Sequence, residues 1–132
     1  VLRFGWERDP EAKVLTEEKF DFVWLDAPCT GFGTLAKLPQ ISITRGDLAY
    51  EEAKKASLLQ FVLCEAAYKL LKDSTSSGSR FFYSVCTLTR PETLDLVDRC
   101  VTLFQREPLL VQSIWPGQAP APKAEGFFVT LF

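Results

Sequence analysis

The sequence predicts an α/β layered domain, and three observations predict it. Two short apolar runs, Phe20–Leu25 and Arg80–Val85, have the length and character of buried parallel strands. The stretch between them patterns as a helix and leaves room for the single crossover that parallel neighbours need. Each run leads into a cysteine in a turn-like segment: Asp26-Ala27-Pro28-Cys29-Thr30-Gly31-Phe32-Gly33 after the first and Cys86-Thr87-Leu88 after the second. If the strands pair side by side, both thiols emerge at one sheet edge, where open α/β sheets place their chemistry.

Taken in order, Val1–Trp6 reads as a strand, and the charged, Pro-containing stretch to Lys19 as a loop with a short helical turn. Phe20–Leu25 follows as a strand, and Gly31 and Gly33 allow a tight backbone path after it. Gly46-Asp47 marks a helix start with Asp47 as N-cap, and the helix runs from Leu48 to about Lys72. Leu59, Leu63, Ala66 and Leu70, spaced by 4, 3 and 4, form its apolar stripe. Glu51, Glu52, Lys54, Lys55, Lys69 and Lys72 lie mostly off that stripe and read as a solvated face with helix-internal ion pairs. Asp73–Ser79 is a polar turn, and Arg80–Val85 the second strand. Thr89-Arg90-Pro91-Glu92 matches a capping box with Pro in the first turn, opening a helix from about Pro91 to Phe104. Pro108–Val111 starts a strand, Trp115–Pro122 is a loop, and Gly126–Phe132 is a final apolar strand. The order strand, helix, strand, helix, strand, strand is that of an α/β domain.

At 132 residues the chain is one domain at most. Its 47% hydrophobic content, with 11 Phe and 3 Trp, is enough for a core. With a net charge of −2 a strongly basic nucleic-acid footprint is absent, which counts against tight, nonspecific phosphate binding by this chain alone. No apolar run approaches the roughly 20 residues of a membrane span, and no signal-peptide pattern opens the chain. With no His, Ser-His and Cys-His catalysis within the chain are excluded. With no Met even at position 1, the chain reads as cut from something longer. The four cysteines form no CxxC pair and have no His to join them, so no metal site is expected. Unpaired thiols without secretory signals point to a reducing, intracellular setting.

Cys64 and Cys100 sit in helix-like stretches beside core-type residues and read as small buried hydrophobes. Cys29 and Cys86 follow strands among turn residues and are the candidates for chemistry. A thiol acts as a nucleophile only as thiolate. Cys86 precedes the capped helix, whose NH groups and dipole favour negative charge. Cys29 lies three residues after Asp26, and an acidic neighbour raises a thiol pKa. Cys86 is therefore the better nucleophile and Cys29 the better helper. Asp26 ends an apolar strand, where a carboxylate is costly without partners; it reads either as a loop cap or as a group that touches substrate. Gly31-Phe32-Gly33 lacks the third glycine of a dinucleotide motif, since Ala36 stands there.

These segments resemble a known family. Asp26-Ala27-Pro28-Cys29-Thr30-Gly31 is similar to the D-A-P-C-S-G motif of the Sun/Nop group of RNA cytosine-5 methyltransferases, and Tyr83-Ser84-Val85-Cys86-Thr87-Leu88 to their Y-S-T-C-S-L motif. Glu92 falls at the family's Glu, Gln60 and Pro39 match a Gln and a Pro of the intervening segment, and Glu125-Gly126-Phe127-Phe128 resembles the closing D-G-F-F strand. The resemblance runs from about Phe20 to Phe132. It implies a Rossmann-like methyltransferase sheet with flanking helices, present in part: residues 1–132 would be the C-terminal portion of a catalytic domain, with 1–19 a lead-in. It implies S-adenosylmethionine as cofactor and tRNA or rRNA as partner. By the same resemblance Cys86 attacks carbon 6 of cytosine, so that carbon 5 can accept a methyl group. Cys29 then assists product release, and Asp26 contacts the polar edge of the base. The base must leave its stack to be reached, and Phe32 either stacks on it or serves the core. Asp26, Pro28 and Asp9 are the candidate cofactor contacts.

The departures matter equally. The family's glycine-rich cofactor loop, its preceding strand and the ribose-binding acid have no counterpart here. Thr30 and Thr87 replace serines, Thr93 an Asn, and Ala36 and Gln40 a basic and an acidic residue. Without the missing strand, Phe20–Leu25 has an open edge, and the isolated chain is expected to bind cofactor poorly and to be inactive. Two alternatives follow. One is a DNA cytosine methyltransferase, in which the Pro-Cys cysteine, here Cys29, attacks. The other is a non-catalytic module that pairs, or self-associates, through its sheet edge.

Overall fold

The computed structural model describes residues 19–34, 46–72, 78–117 and 125–132. The crossover expected between the two cysteine-bearing strands is present. Strand β1 (Phe22–Asp26) leads through a 3-10 turn (Phe32–Thr34) to helix α1 (Gly46–Tyr68), which returns the chain to β2 (Arg80–Val85). A second 3-10 turn (Arg90–Glu92) precedes α2 (Leu94–Phe104), and β3 (Leu110–Ile114) and β4 (Phe127–Leu131) close the chain. The sheet order is β1-β2-β4-β3. β1 and β2 are parallel, with Asp26 opposite Ser84; β4 is antiparallel to both β2 and β3. β2 and β4 are the inner strands and carry the buried residues, whereas β3 is an exposed edge. Among the described residues β1 is the other edge.

One sheet face carries the core. Phe81, Tyr83 and Val85 of β2 and Phe128 and Phe132 pack with Cys64, Leu71, Leu96, Val97, Cys100 and Phe104. Phe104, at the end of α2, stacks on Tyr68 at 3.7 Å and meets Phe81 and Phe132 edge-on. The two edge-on contacts have the favoured geometry for aromatic pairs. The helix stops there because Gln105 adopts the left-handed conformation. On the opposite face, Phe22 and Trp24 of β1 are 56% and 61% exposed and contact Phe82.

Four expectations need correction. The buried residues of α1 include Ala53, Ser57, Gln60 and Cys64, while Leu59 of the expected stripe is exposed. Small residues let the helix approach the sheet, and Gln60 turns inward because it finds hydrogen-bond partners there; a reading that counts only apolar residues misses both. The helix ends at Tyr68, short of Lys72, and Leu70 lies in the turn beyond it, where its carbonyl accepts from the Phe20 N–H. At its other end, α1 starts at Gly46, ahead of the expected Asp47 cap. Finally, Thr89–Glu92 forms a 3-10 turn in place of a capping box. α2 begins only at Leu94, so Cys86 does not directly precede a helix and the dipole argument for its activation loses its basis. The expected Val1–Trp6 strand, Asp9, Ala36, Pro39 and Gln40 lie outside the described residues.

Candidate active site

The site is built where β1 and β2 end side by side. The parallel ladder runs one step past β1, with Ala27 N–H donating to Ser84 O at 3.0 Å. The two turns that follow bring Cys29 Sγ and Cys86 Sγ to 3.3 Å from each other, both half-buried. Gly33 holds the first turn against the second: its N–H donates to Cys86 O, and its carbonyl accepts from Gly126 N–H. A side chain at Gly33 has no room, since a Cβ there would fall 2.0 Å from Gly126 O. This position is glycine for close backbone approach.

Below the thiols lies Glu92, fully buried. Its Oε1 accepts from Thr30 N–H and Gln60 Nε2, both at 2.9 Å. Its Oε2 accepts from Thr30 Oγ1 and Thr89 Oγ1, both at 2.6 Å. The Thr87 hydroxyl stands 3.4 Å from the same oxygen and 3.2 Å from Thr30 Oγ1. Thr30 follows Cys29 and Thr87 follows Cys86, so one carboxyl group fastens both cysteine turns. Gln60 also donates to Pro28 O, tying α1 to the first turn. The Tyr83 hydroxyl donates to Glu92 O at 2.9 Å, and burial pushes its pKa far up, so it remains a donor. These partners are why Glu92 does not cap a helix. The T-x-x-E pattern was visible in the sequence, but only the fold brings Thr30, Gln60 and Thr87 to it.

The Cys29 thiol is pushed from 9.0 up to about 12, first by burial and then by its hydrogen bond with Cys86. The direction is the one expected from sequence, but the causes are burial and the neighbouring thiol; Asp26 is not among them. Asp26 is exposed at the end of β1 and accepts from Ser84 Oγ at 2.8 Å; that hydroxyl in turn accepts from Trp24 Nε1 at 2.9 Å. This relay orients the carboxylate, and neither Trp24 nor Ser84 was singled out by sequence reasoning. Pro28 is exposed beside it. Phe32 is half-buried and lines a shallow cavity of about 320 Å³ with Tyr50 and Pro91. Cys64 and Cys100 are buried in the core as expected. Among the described residues no group of three or more Cys, Asp or Glu side chains is arranged to hold a metal ion, and no helix is long and apolar enough to cross a membrane.

The sequence model of a family described as 16S rRNA methyltransferase RsmB/F matches residues 6–130. This chain belongs to the RsmB/F family. Among curated relatives, the ribosomal RNA small subunit methyltransferase F of Shewanella piezotolerans is 34% identical over 125 residues, covering 89% of this chain and 24% of the relative. Methyltransferase B of the Thermus thermophilus small subunit rRNA is 40% identical over 75 residues, covering 57% and 17%. The chain thus spans about a quarter, or less, of the length of these RsmB/F relatives. NSun6 from Pyrococcus horikoshii, solved with SFG, superposes with a TM-score of 0.63 over 90% of this chain and 32% of its own, at 24% identity. A methyltransferase homologue from the same organism gives 0.60 over 87% and 39%, at 25% identity. The RsmB/F chain therefore carries the mixed, Rossmann-like methyltransferase sheet with flanking helices.

Proposed function

We propose that this chain is the cysteine-bearing part of an enzyme that methylates carbon 5 of cytosine in RNA, with ribosomal RNA as the substrate class, in an intracellular setting. The observation that carries the reading is the contact of Cys29 and Cys86 at the ends of two parallel neighbours, fastened by one buried glutamate. A cytosine ring is unreactive at carbon 5 until a nucleophile adds at carbon 6. Cys86, as thiolate, makes that bond, and electron density moves to carbon 5. S-adenosylmethionine, when bound, supplies the methyl group that carbon 5 takes up. Removal of the carbon 5 proton by water acting as base then restores the ring double bond, breaks the carbon–sulfur bond and returns Cys86. Cys29, held protonated by its burial, is a poor attacking group and assists release as a thiol that hydrogen-bonds the departing Cys86 sulfur. Asp26, oriented by Ser84 and Trp24, faces the polar edge of the base and offsets charge that develops during attack.

The residues described fit one wall of a cofactor site. The exposed Asp26 carboxylate accepts hydrogen bonds from amino or hydroxyl groups, and the exposed Pro28 offers apolar contact. Asp9 is the further candidate contact from the sequence.

The test is covalent trapping on RNA carrying 5-azacytosine, whose electron-poor ring takes up a thiolate at carbon 6 and a proton at ring nitrogen 5, so that the adduct forms without methyl transfer. An adduct that persists in Cys29→Ala and disappears in Cys86→Ala supports the assignment. The opposite pattern transfers the attack to Cys29, as in a DNA-type cytosine methyltransferase. A second reading, a non-catalytic module that pairs or self-associates through its sheet edge, is favoured by the outer position of β1 and the exposed Phe22 and Trp24. Absence of any adduct together with concentration-dependent association would favour it.

A further inference from the structure

We propose that Cys29 and Cys86 form a redox modification site, a dithiol that a hydroperoxide closes to an intramolecular disulfide. The sulfurs already touch at 3.3 Å, and both cysteines are unpaired. A bond requires them to approach to about 2.05 Å. Their turns leave adjacent hydrogen-bonded strands, and the roughly 4.8 Å spacing of such strands lies inside the Cα separations a disulfide spans. Glu92 and Gly33 keep the turns from drifting apart. Both thiols are half-buried and so within reach of a small oxidant. The molecule holds its own comparison: Cys64 and Cys100 also share a thiol hydrogen bond, but they are 0% and 2% exposed in the core. Proximity is common to both pairs, and access distinguishes them.

The chemistry balances in two steps. Cys86 sulfur displaces hydroxide from hydrogen peroxide, the O–O bond breaks, and a sulfenic acid and water form. Cys29 sulfur then attacks the Cys86 sulfur; the S–OH bond breaks, the Cys29 proton leaves with the hydroxyl as a second water, and the disulfide remains. Two electrons pass from the sulfurs to the peroxide. Burial keeps Cys29 protonated, which makes Cys86 the first to react. The bond is a property of the two sulfurs and does not require the methyl-transfer reading; under that reading it removes the attacking thiol and its helper together.

The experiment uses the reduced chain, treated while folded with equimolar hydrogen peroxide, then unfolded in iodoacetamide and weighed without reductant. We expect two alkylated cysteines in place of four, a chain mass lower by two hydrogens once the alkyl groups are subtracted, and a peptide map in which a disulfide joins Cys29 to Cys86. Reductant should restore all four. In Cys29→Ser the hydrogens should be retained and dimedone should capture a sulfenic acid on Cys86. Four alkylated cysteines after oxidation, a link through Cys64 or Cys100, a disulfide-linked dimer, or the same loss of hydrogens in Cys29→Ser would each overturn the proposal. A chain that forms the bond but no adduct with 5-azacytosine RNA removes the methyl-transfer reading and leaves this one standing. The converse result removes this one alone.

Discussion

Cys29 and Cys86 are chemically alike and differ in surroundings. Cys29 is held as a thiol up to about pH 12 in the fold, whereas in the unfolded chain it ionises near its ordinary value of 9.0. Below pH 9 both states keep the proton, and the stabilisation of the buried thiol is fully present. Between 9 and about 12 the unfolded chain has released a proton that the folded chain retains, so stability falls as pH rises. Cys29→Ser should show a shallower fall than the unsubstituted chain in urea midpoints taken from about pH 8 to about pH 11. Equal slopes would show that the Cys29 environment is not protecting the thiol. At this scale the sequence singled out the two cysteines whose sulfurs the fold brings into contact, since cysteines flanked by turn residues after apolar strands stand out. It misjudged the cause of the pKa shift, because burial and a partner from another segment are not written in local neighbours.

The elements meet through Glu92. It joins the turn after β1, the turn after β2, helix α1 and the 3-10 turn that precedes α2. Glu92→Ala leaves the Thr30 N–H and one of the two Gln60 amide hydrogens without an acceptor in the interior, each costing about 1–3 kcal/mol, while the other Gln60 hydrogen keeps Pro28 O. Urea denaturation should therefore register a loss on the order of 3 kcal/mol or more. Glu92→Gln should cost much less, because its carbonyl can keep the Thr30 and Gln60 bonds while its amide faces hydroxyls able to accept. Similar losses in the two variants would mean that shape at this position matters more than its hydrogen bonds. The strands and the body of α2 were legible from apolar runs, whereas the Pro-containing segment read as the helix start is a separate 3-10 turn. The buried side of α1 was not, because its inward polar residue is placed by partners distant in sequence.

For the whole molecule, the sheet order sets what the chain can do alone. Among the described residues β1 is an outer strand, and its C-terminal end offers Asp26 and Pro28 as the candidate contacts for S-adenosylmethionine. One wall gives few contacts to offset the ordering cost of binding. Calorimetric titration of the chain with S-adenosylmethionine should give no saturable heat at cofactor concentrations up to about millimolar, where only about −4 kcal/mol of binding would already register. Micromolar binding would show that the 132 residues hold a complete pocket. The same open edge is where the rival reading, strand pairing with another chain, has its physical basis.

The sequence alone determined the strand–helix alternation, the two cysteine turns and their assignment to one sheet edge. Apolar runs, turn residues and a crossover of sufficient length are local features, and parallel pairing follows from them. The tertiary structure decided what surrounds the cysteines: the direct contact of their sulfurs, the glutamate that fastens their turns, the Trp24–Ser84–Asp26 relay, and the turning inward of Gln60. Each of these joins residues far apart along the chain, and a buried polar group takes its role from the partners that the fold brings to it.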